Sequence, residues 1–489
     1  MSRQVETERK YALAQAEDLP PLDAVATPGP VDEFDLVATY YDARDYRLTR
    51  AHLVIRRREG GHDDGWHLKT PGERPDERHE LHLPLGPARV PDELREQVAD
   101  ALDGAALVPV AVLRTARREQ QLLGPDGAVL AVTTLDRVEA RTGDDRRAWR
   151  EAEVELVGGR PELLDRIETV LGRAGIHRSP SASKIGQTLA GRIEALDASV
   201  GSAGAALLDY VGLQVGTLQA QEAAVRVDAP DAVHRSRVAT RRLRSTLRTF
   251  AGLLPRGVAP ALRTELRWHA ALLGAARDAE VLRERLLDAL DTLPHPAGEP
   301  VRRRIATQLS DTHDVAHAAL VKSMGTRRYD ELHEALASFL ASPGLAWVAA
   351  EPAEVVLVPM LGRAVRRVRK LARHAANRPG DLGRWHEVRK AAKAARYGAE
   401  ALVPVLGERA DGWRSAWEAV TEALGSVQDC VVAKEVVAAL AERATSEGLR
   451  PEPFEELRRG QDDTLAASLL AGRRALATAL AEADPGAVG

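Results

Sequence analysis

The sequence predicts a two-domain α+β chain, a strand-rich sandwich or barrel followed by an all-α domain. Three observations carry this. Over roughly the first 190 residues, short segments alternate apolar and polar side chains with period two. Beyond residue 206 the apolar residues take helical spacing between Pro/Gly breaks, and strand signals are absent. A pattern of basic residues in that second part then recurs about 150 residues later. At 489 residues the chain exceeds what one hydrophobic core serves.

Period-two segments run over Val5–Ala12, Ala51–Arg58, Trp66–Thr70, Arg78–Leu85, Leu113–Leu123, Ala128–Glu139 and Trp149–Val157. Turn clusters bound them: Gly60 to Gly65, Pro71-Gly72, and Gly124-Pro125-Asp126-Gly127, a good hairpin turn. Helical patterns interrupt at Pro91–Leu102, with Pro91 at the start and acids in the first turn, and at Arg160–Ala174. The stretch around Ala195–Ala206 reads as a flexible linker. Expected domains are therefore 1–194 and 207–485. In the second, breaks fall near Pro230, Pro255, Pro294–Pro300, Pro343, Pro379-Gly380 and Pro451.

Apolar residues make up 44% and charged residues 29%, which excludes wholesale disorder. The single cysteine, Cys430, excludes an intrachain disulfide and favours a reducing compartment. Met1 to Lys10 is charged, with no apolar signal segment. The longest apolar run, Val355 to Leu361, contains a proline and falls far short of the ~18 residues of a membrane span. The expectation is a cytoplasmic protein without a membrane partner. A net charge of −4 says little about partners, so local clusters must decide.

Strand periodicity places Glu6, Glu8 and Lys10 on one face, Arg56 and Arg58 on another strand's face, and Glu151, Glu153 and Glu155 on a third. Opposite the last three lie apolar Ala152, Val154 and Leu156. The three carboxylates therefore face either bulk water or a polar interior. Three acids in a row repel one another and call for cations or a metal. A cavity with acids on one wall and cations on another suits a metal-bound polyanion: oxygen ligands for Mg²⁺ or Mn²⁺, basic groups for phosphate oxygens.

Glu-x-Glu-x-Lys at Glu6–Lys10 is followed by Tyr40-Tyr41-Asp42, Leu53-x-Ile55-Arg56-x-Arg58, Trp66-x-Leu68-Lys69 and Glu151-x-Glu153-x-Glu155. This ordered set, across residues 3–190, resembles the CYTH domain of the triphosphate tunnel metalloenzymes. The resemblance implies a closed eight-stranded antiparallel barrel that hydrolyses a terminal phosphoanhydride with Mg²⁺ or Mn²⁺. It implies catalytic roles for Glu6, Glu8 and Lys10. It implies metal ligation by Glu6, Glu8 and Glu153, with Glu151 and Glu155 on the same face and Asp136 on a neighbouring strand. Triphosphate would be held by Lys10, Arg56, Arg58, Lys69, Arg114, Arg117 and Lys184. One departure stands out: the family often carries a second Glu-x-Glu, and here Glu80 is followed by Leu81 and His82.

In the second domain His234, Arg237, Arg241 and Arg244 occupy offsets 0, 3, 7 and 10, as do His386, Arg389, Lys393 and Arg396. Leu273 to Asp278 is echoed by Leu424 to Asp429, so the pattern reads as an internal duplication. At those offsets the residues share one helix face; Arg242 widens it, and no acid occurs from His234 to Arg248. A further basic helix carries Arg366 and Arg369. Such stripes are either solvated surface or a seat for an anion. Nucleic acid is not the expected polyanion, because no groove-reading motif is present and aromatics for stacking are few.

His-x-x-Arg-Val-x-x-Arg-Arg-x-Arg-Ser at His234–Ser245 resembles the CHAD domain, the conserved-histidine α-helical domain, over residues 205–485. That resemblance implies a helical bundle in two halves whose basic surface binds inorganic polyphosphate. Together the two resemblances point to hydrolysis of inorganic triphosphate or short polyphosphate. The competing expectations are thiamine-triphosphatase or adenylyl cyclase activity, and a polyphosphate-binding scaffold whose barrel has decayed.

Overall fold

In the computed structural model, which describes residues 2–291, 293, 299–446, 448, 450–483 and 485, eight strands form one antiparallel sheet. They are β1 (Ser2–Leu13), β2 (Thr27–Asp42), β3 (Val54–Glu59), β4 (Gly65–Pro71), β5 (Glu77–Pro84), β6 (Val108–Leu123), β7 (Val129–Thr142) and β8 (Asp145–Leu156). The hydrogen-bonded order is β1-β5-β4-β3-β2-β6-β7-β8, and β1 bonds both β5 and β8, so the sheet closes. Closure leaves no strand edge unpaired. Helices α1 (Arg47–Arg50), α2 (Asp92–Gln97), α3 (Ala99–Leu102), α4 (Glu162–Arg173) and α5 (Lys184–Asp197) accompany it.

Alternation decides which face each side chain takes. Tyr11, Ala131, Ala152 and Val154 point outward, where Leu164, Ile167 and Leu171 of α4 cover them. Ile55, Trp66, Leu68 and Leu81 point outward under Leu48, Leu94 and Val98 of the α1–α3 region. These apolar faces are thus on the outside, beneath helices, while inward lie the polar faces and a second apolar group around Tyr40, Leu113 and Val138, packed on α5. Truncating a fully buried leucine such as Leu164 would cost about 2–5 kcal/mol.

Three elements differ from the sequence reading. β2 carries no clear strand signal because Pro28, Gly29 and Pro30 sit in its first turn of alternation; the register shift between Pro28 and Val31 absorbs them. The helix expected over Pro91–Leu102 is two short ones separated at Val98. The span taken as a linker is helical at both ends. Ser183 caps α5, its hydroxyl accepting from Gly186 N at 3.0 Å, and α5 runs to Asp197. The next helix starts at Ala203, capped by Ser202.

By compactness the chain divides into Met1–Ala198 with Ala337–Ser342, and Ser199–Leu336 with Pro343–Gly489. The helices after α5 are α6 (Ala203–Arg226), α7 (Ala232–Thr249), α8 (Val258–Asp291), α9 (Glu299–Met324), α10 (Arg327–Ala341), α11 (Ala353–Ala376), α12 (Leu382–Glu400), α13 (Val403–Leu406), α14 (Glu408–Ser446) and α15 (Glu452–Glu482). α6 to α9 pack in sequence order, as do α11, α12, α14 and α15; α6 also meets α11, and α7 meets α12. In α7, Val233, Ser236, Thr240, Leu243 and Leu247 are buried at helical spacing, which leaves its arginines a separate face. The break expected at Pro294–Pro300 lies largely outside the described residues. No described helix is long and apolar enough to cross a membrane.

Candidate functional site

The inward strand faces meet in one polar pocket. β1 contributes Glu6, Glu8 and Lys10, β3 Arg56 and Arg58, β4 Lys69, β6 Arg117 and Glu119, and β8 Glu153 and Glu155. α5 reaches the same space: Ile185 and Leu189 pack with Tyr40, Leu113 and Val138, which carries Lys184 at its first turn into the pocket. The carboxylates left open between water and interior by alternation alone are therefore interior.

One half of the acid wall is already neutralised. Lys10 Nζ lies 2.5 Å from Glu153 and 3.6 Å from Glu8. Lys184 Nζ reaches Glu151 at 2.6 Å, Glu153 at 2.7 Å and Asp136 at 2.9 Å. Arg117 donates two bonds to Asp136, at 2.9 and 2.7 Å, and one to Glu153 at 2.9 Å. Burial alone would raise Glu153, but Lys10, Lys184 and Arg117 hold it well below the usual carboxylate range. The same acids hold Lys184 well above its ordinary value against burial.

The other half is short of cations. Lys69 pairs with Glu6 and Glu80. Glu8 stays low because Lys10 and Lys69 outweigh its burial. Glu155 has no ion pair among the described residues; burial, then Glu6, Glu8 and Glu153, pushes it up to about 7. An excess of carboxylate around Glu6, Glu8 and Glu155 is a donor set that suits a hard divalent cation. Asp136 and Glu151, by contrast, are saturated by protein cations.

On the cationic side, Arg56 bonds Tyr40, and no carboxylate pairs with it among the described residues; its Nε has no partner. Arg58 pairs with Asp63. His67 lies between Glu80 and the Asp63 carbonyl, which it meets at 3.0 Å. Burial, with Arg56 and Arg58 nearby, pushes His67 down to about 4 against the pull of Glu80. Asp63, His67 and Glu80 bring ligand atoms within 4.8 Å of one another. His82 turns to the Asp64 carbonyl at 3.1 Å.

The helical unit gathers a second constellation. Arg237 and Arg241 of α7 and Arg389 and Lys393 of α12 act on one another. Arg237 pairs with Asp278 at 2.8 Å, and Arg241 Nε donates to the Tyr397 hydroxyl at 2.6 Å. Arg389 stands by Asp429, and His386 bonds Gln428.

Residues 4–189 match the CYTH domain model and residues 209–438 the CHAD domain model. An uncharacterized protein of Mycobacterium tuberculosis is 33% identical over 464 residues, which is 89% of this chain and 88% of that one. The chain is a CYTH–CHAD protein. Among solved structures, PptA from Streptomyces chartreusis is similar with a TM-score of 0.48 and 23% identity, over 56% of this chain and 99% of that one. The CHAD domain of the plant Ricinus communis gives 0.46 and 25%, over 57% and 92%.

In the CYTH domain, the expected residues Glu6, Glu8, Lys10, Arg56, Arg58, Lys69, Arg117, Glu153, Glu155 and Lys184 line one pocket, with Asp136 and Glu151 bonded behind it. Arg114 does not join them. Strand parity puts it on the opposite face of β6 from Arg117, exposed, which corrects its expected place in the substrate site. Arg78 and Glu119 line the pocket and went unread, although Arg78 shares the parity of Glu80.

In the CHAD domain, the expected basic set divides. Arg242 is held by Glu400 at 2.7 Å and Arg396 by Glu418, so the acid-free stripe of α7 acquires acids from other helices. Arg244 lies with Arg263 and Arg267 of α8 and beside Arg248, a group with no ion pair among the described residues. Arg366 is exposed, and Arg369 donates to the Leu480 carbonyl at 3.4 Å. His234 and His386 are both pushed below the ordinary histidine value, by burial first and then by neighbouring cations.

Proposed function

We propose that the CYTH domain hydrolyses inorganic triphosphate or short polyphosphate with Mg²⁺ or Mn²⁺, and that the CHAD domain binds polyphosphate. The observation that carries the first part is one pocket holding both a cation-poor acid wall, Glu6, Glu8 and Glu155, and a carboxylate-free cation, Arg56. Glu6, Glu8 and Glu155, with Glu153 adjoining, would hold the metal. When bound, a divalent ion neutralises charge that develops on phosphate oxygens. Arg56, Arg58, Lys69 and Lys10 would bind those oxygens and keep the chain in line. Arg117 and Lys184 fix Glu153 and Asp136 in place, so the wall is organised before substrate arrives.

The second part is supported by Arg237, Arg241, Arg389 and Lys393, four basic groups gathered with Asp278 as the one acid in ion-pair reach among the described residues. The proposed domains are 1–194 and 207–485, with the second duplicated internally. The duplication is supported by matching pairs: Arg237 with Asp278 and Arg389 with Asp429, His234 beside Arg277 and His386 bonded to Gln428. It is also supported by the packing of equivalent helices on one another, α6 on α11 and α7 on α12.

Release of phosphate or pyrophosphate from triphosphate, thiamine triphosphate, ATP and long polyphosphate, each with Mg²⁺ or Mn²⁺, tests the enzymatic reading. Turnover of triphosphate or short polyphosphate above the others is expected. No release from any of them would leave the scaffold reading, which His82 in place of a glutamate favours.

A further inference from the structure

Lys393 stands apart from the rest of its cluster. It is half-buried on α12, one turn after Arg389 and one turn before Tyr397, whose hydroxyl accepts from Arg241 of the facing α7; Arg389, Arg241 and Arg237 are the charges that act on it most. From α14, Asp429 acts in the opposite sense but more weakly; α11, the third helix packed on α12, supplies none of the groups that act on it most. No carboxylate pairs with Lys393 among the described residues. Its counterpart at the same offset in the other half is Arg241, whose guanidinium keeps its proton throughout the physiological range. A lysine differs in this respect: an ammonium crowded by guanidinium groups and partly desolvated can release its proton.

We propose that polyphosphate binding by this cluster takes up one proton, and that Lys393 is the group that receives it. The inference rests on the polyphosphate reading of the CHAD domain. In the free protein, burial and three arginines push Lys393 down to about 6, so it is largely neutral above that pH. A phosphate chain laid across Arg237, Arg241 and Arg389 cancels their repulsion and presents oxygens to the amine, which restores the proton. Neutral free and charged bound, the site binds about tenfold more weakly for each unit of pH above 6 until the bound-state value is passed. The protein would therefore release polyphosphate on alkalinisation and hold it on mild acidification. His234 and His386 are also held below their ordinary value by burial and neighbouring cations, and any proton they take up is counted alike in the parent and in Lys393→Arg, so the difference between the two belongs to Lys393.

The test uses the full chain and long-chain polyphosphate, whose few terminal groups contribute little titration. Calorimetric titrations at one pH near 7.5, in buffers of different ionisation enthalpy, count protons taken up. Affinities at pH 6, 7 and 8 give the slope. Expected for the parent is about one proton per site and about a tenfold change per pH unit. Lys393→Arg should take up about one proton fewer than the parent and flatten the slope by the same amount. Lys393→Met should also flatten it, and bind more weakly than the parent at pH 6. An equal proton count in parent and Lys393→Arg, or a steep slope retained in Lys393→Met, overturns this inference and leaves polyphosphate binding standing. A parent that fails to bind at pH 6 overturns both.

Discussion

Glu8 and Glu155 stand directly opposite each other across the β1–β8 ladder, and the next inward pair is Lys10 with Glu153. Facing like charges destabilise a strand pair, so the fold carries a cost at Glu8–Glu155 that a cation would remove. Glu155→Gln should therefore stabilise the metal-free protein by up to about 1 kcal/mol. It should also lessen the rise in melting temperature that Mg²⁺ or Mn²⁺ produces in the parent. Glu8→Gln should lose turnover by about a hundredfold or more at saturating metal. Melting curves with chelator and with metal, beside single-turnover assays, check both; full activity in Glu8→Gln would reject the assignment.

Arg117 and Arg56 both line the pocket, but their losses should read differently. Arg117→Met removes two hydrogen bonds from Asp136, which is fully buried, and one from Glu153, leaving Lys184 to both acids and Lys10 to Glu153. Losing charged hydrogen bonds to buried carboxylates that keep one cation costs about 1–3 kcal/mol, so stability should fall along with activity. Arg56→Ala orphans no acid. It should leave the unfolding free energy from urea titration within about 0.5 kcal/mol of the parent and raise KM for triphosphate.

The barrel was legible where alternation was clean. Glu151, Glu153 and Glu155 opposite Ala152, Val154 and Leu156 gave both the strand and its inward face. Parity also could have excluded Arg114, since Arg117 lies an odd number of residues away and cannot share its face. β2 was hidden because its opening residues, Pro28 to Pro30, are turn-formers accommodated by a bulge. In the helical half, the basic stripe was legible but its pairing was not. Glu400 and Glu418 reach Arg242 and Arg396 through tertiary packing, which helical spacing does not encode.

His269 gives the helical unit an acid limit. It is 3% exposed, its Nδ1 has no partner among the described residues, and burial lowers it to about 4. The unfolded chain takes up a proton below about 6.5, whereas the folded chain resists until about 4. Stability is therefore full above 6.5 and declines as pH falls through that window, by roughly 3 kcal/mol in all. His269→Leu should abolish about 2 kcal/mol of the parent's loss between pH 7 and 5. Urea unfolding at the two pH values measures it; an unchanged loss would mean that other groups govern the acid response.

Charge reversal at Arg237, Arg241 and Arg244 tests the CHAD reading most directly. Arg241 and Arg244 have no ion pair among the described residues, so converting them to Glu removes attraction without orphaning an acid. Arg237→Glu places a second acid beside Asp278, an exposed carboxylate, which costs modest stability. The triple variant should keep its helical circular dichroism and lose polyphosphate binding. In the parent, anion binding by a row of cations releases counterions, so log affinity should fall linearly with log salt. Removing a single phosphate-binding cation should reduce that slope by about one, on the scale known for nucleic acid. Arg366→Glu, at an exposed position, should change the slope least. Competition with single-stranded and duplex DNA at equal charge separates polyphosphate from nucleic acid as the ligand. If DNA displaces polyphosphate efficiently, or the triple variant binds as tightly as the parent, the cluster is not a polyphosphate seat.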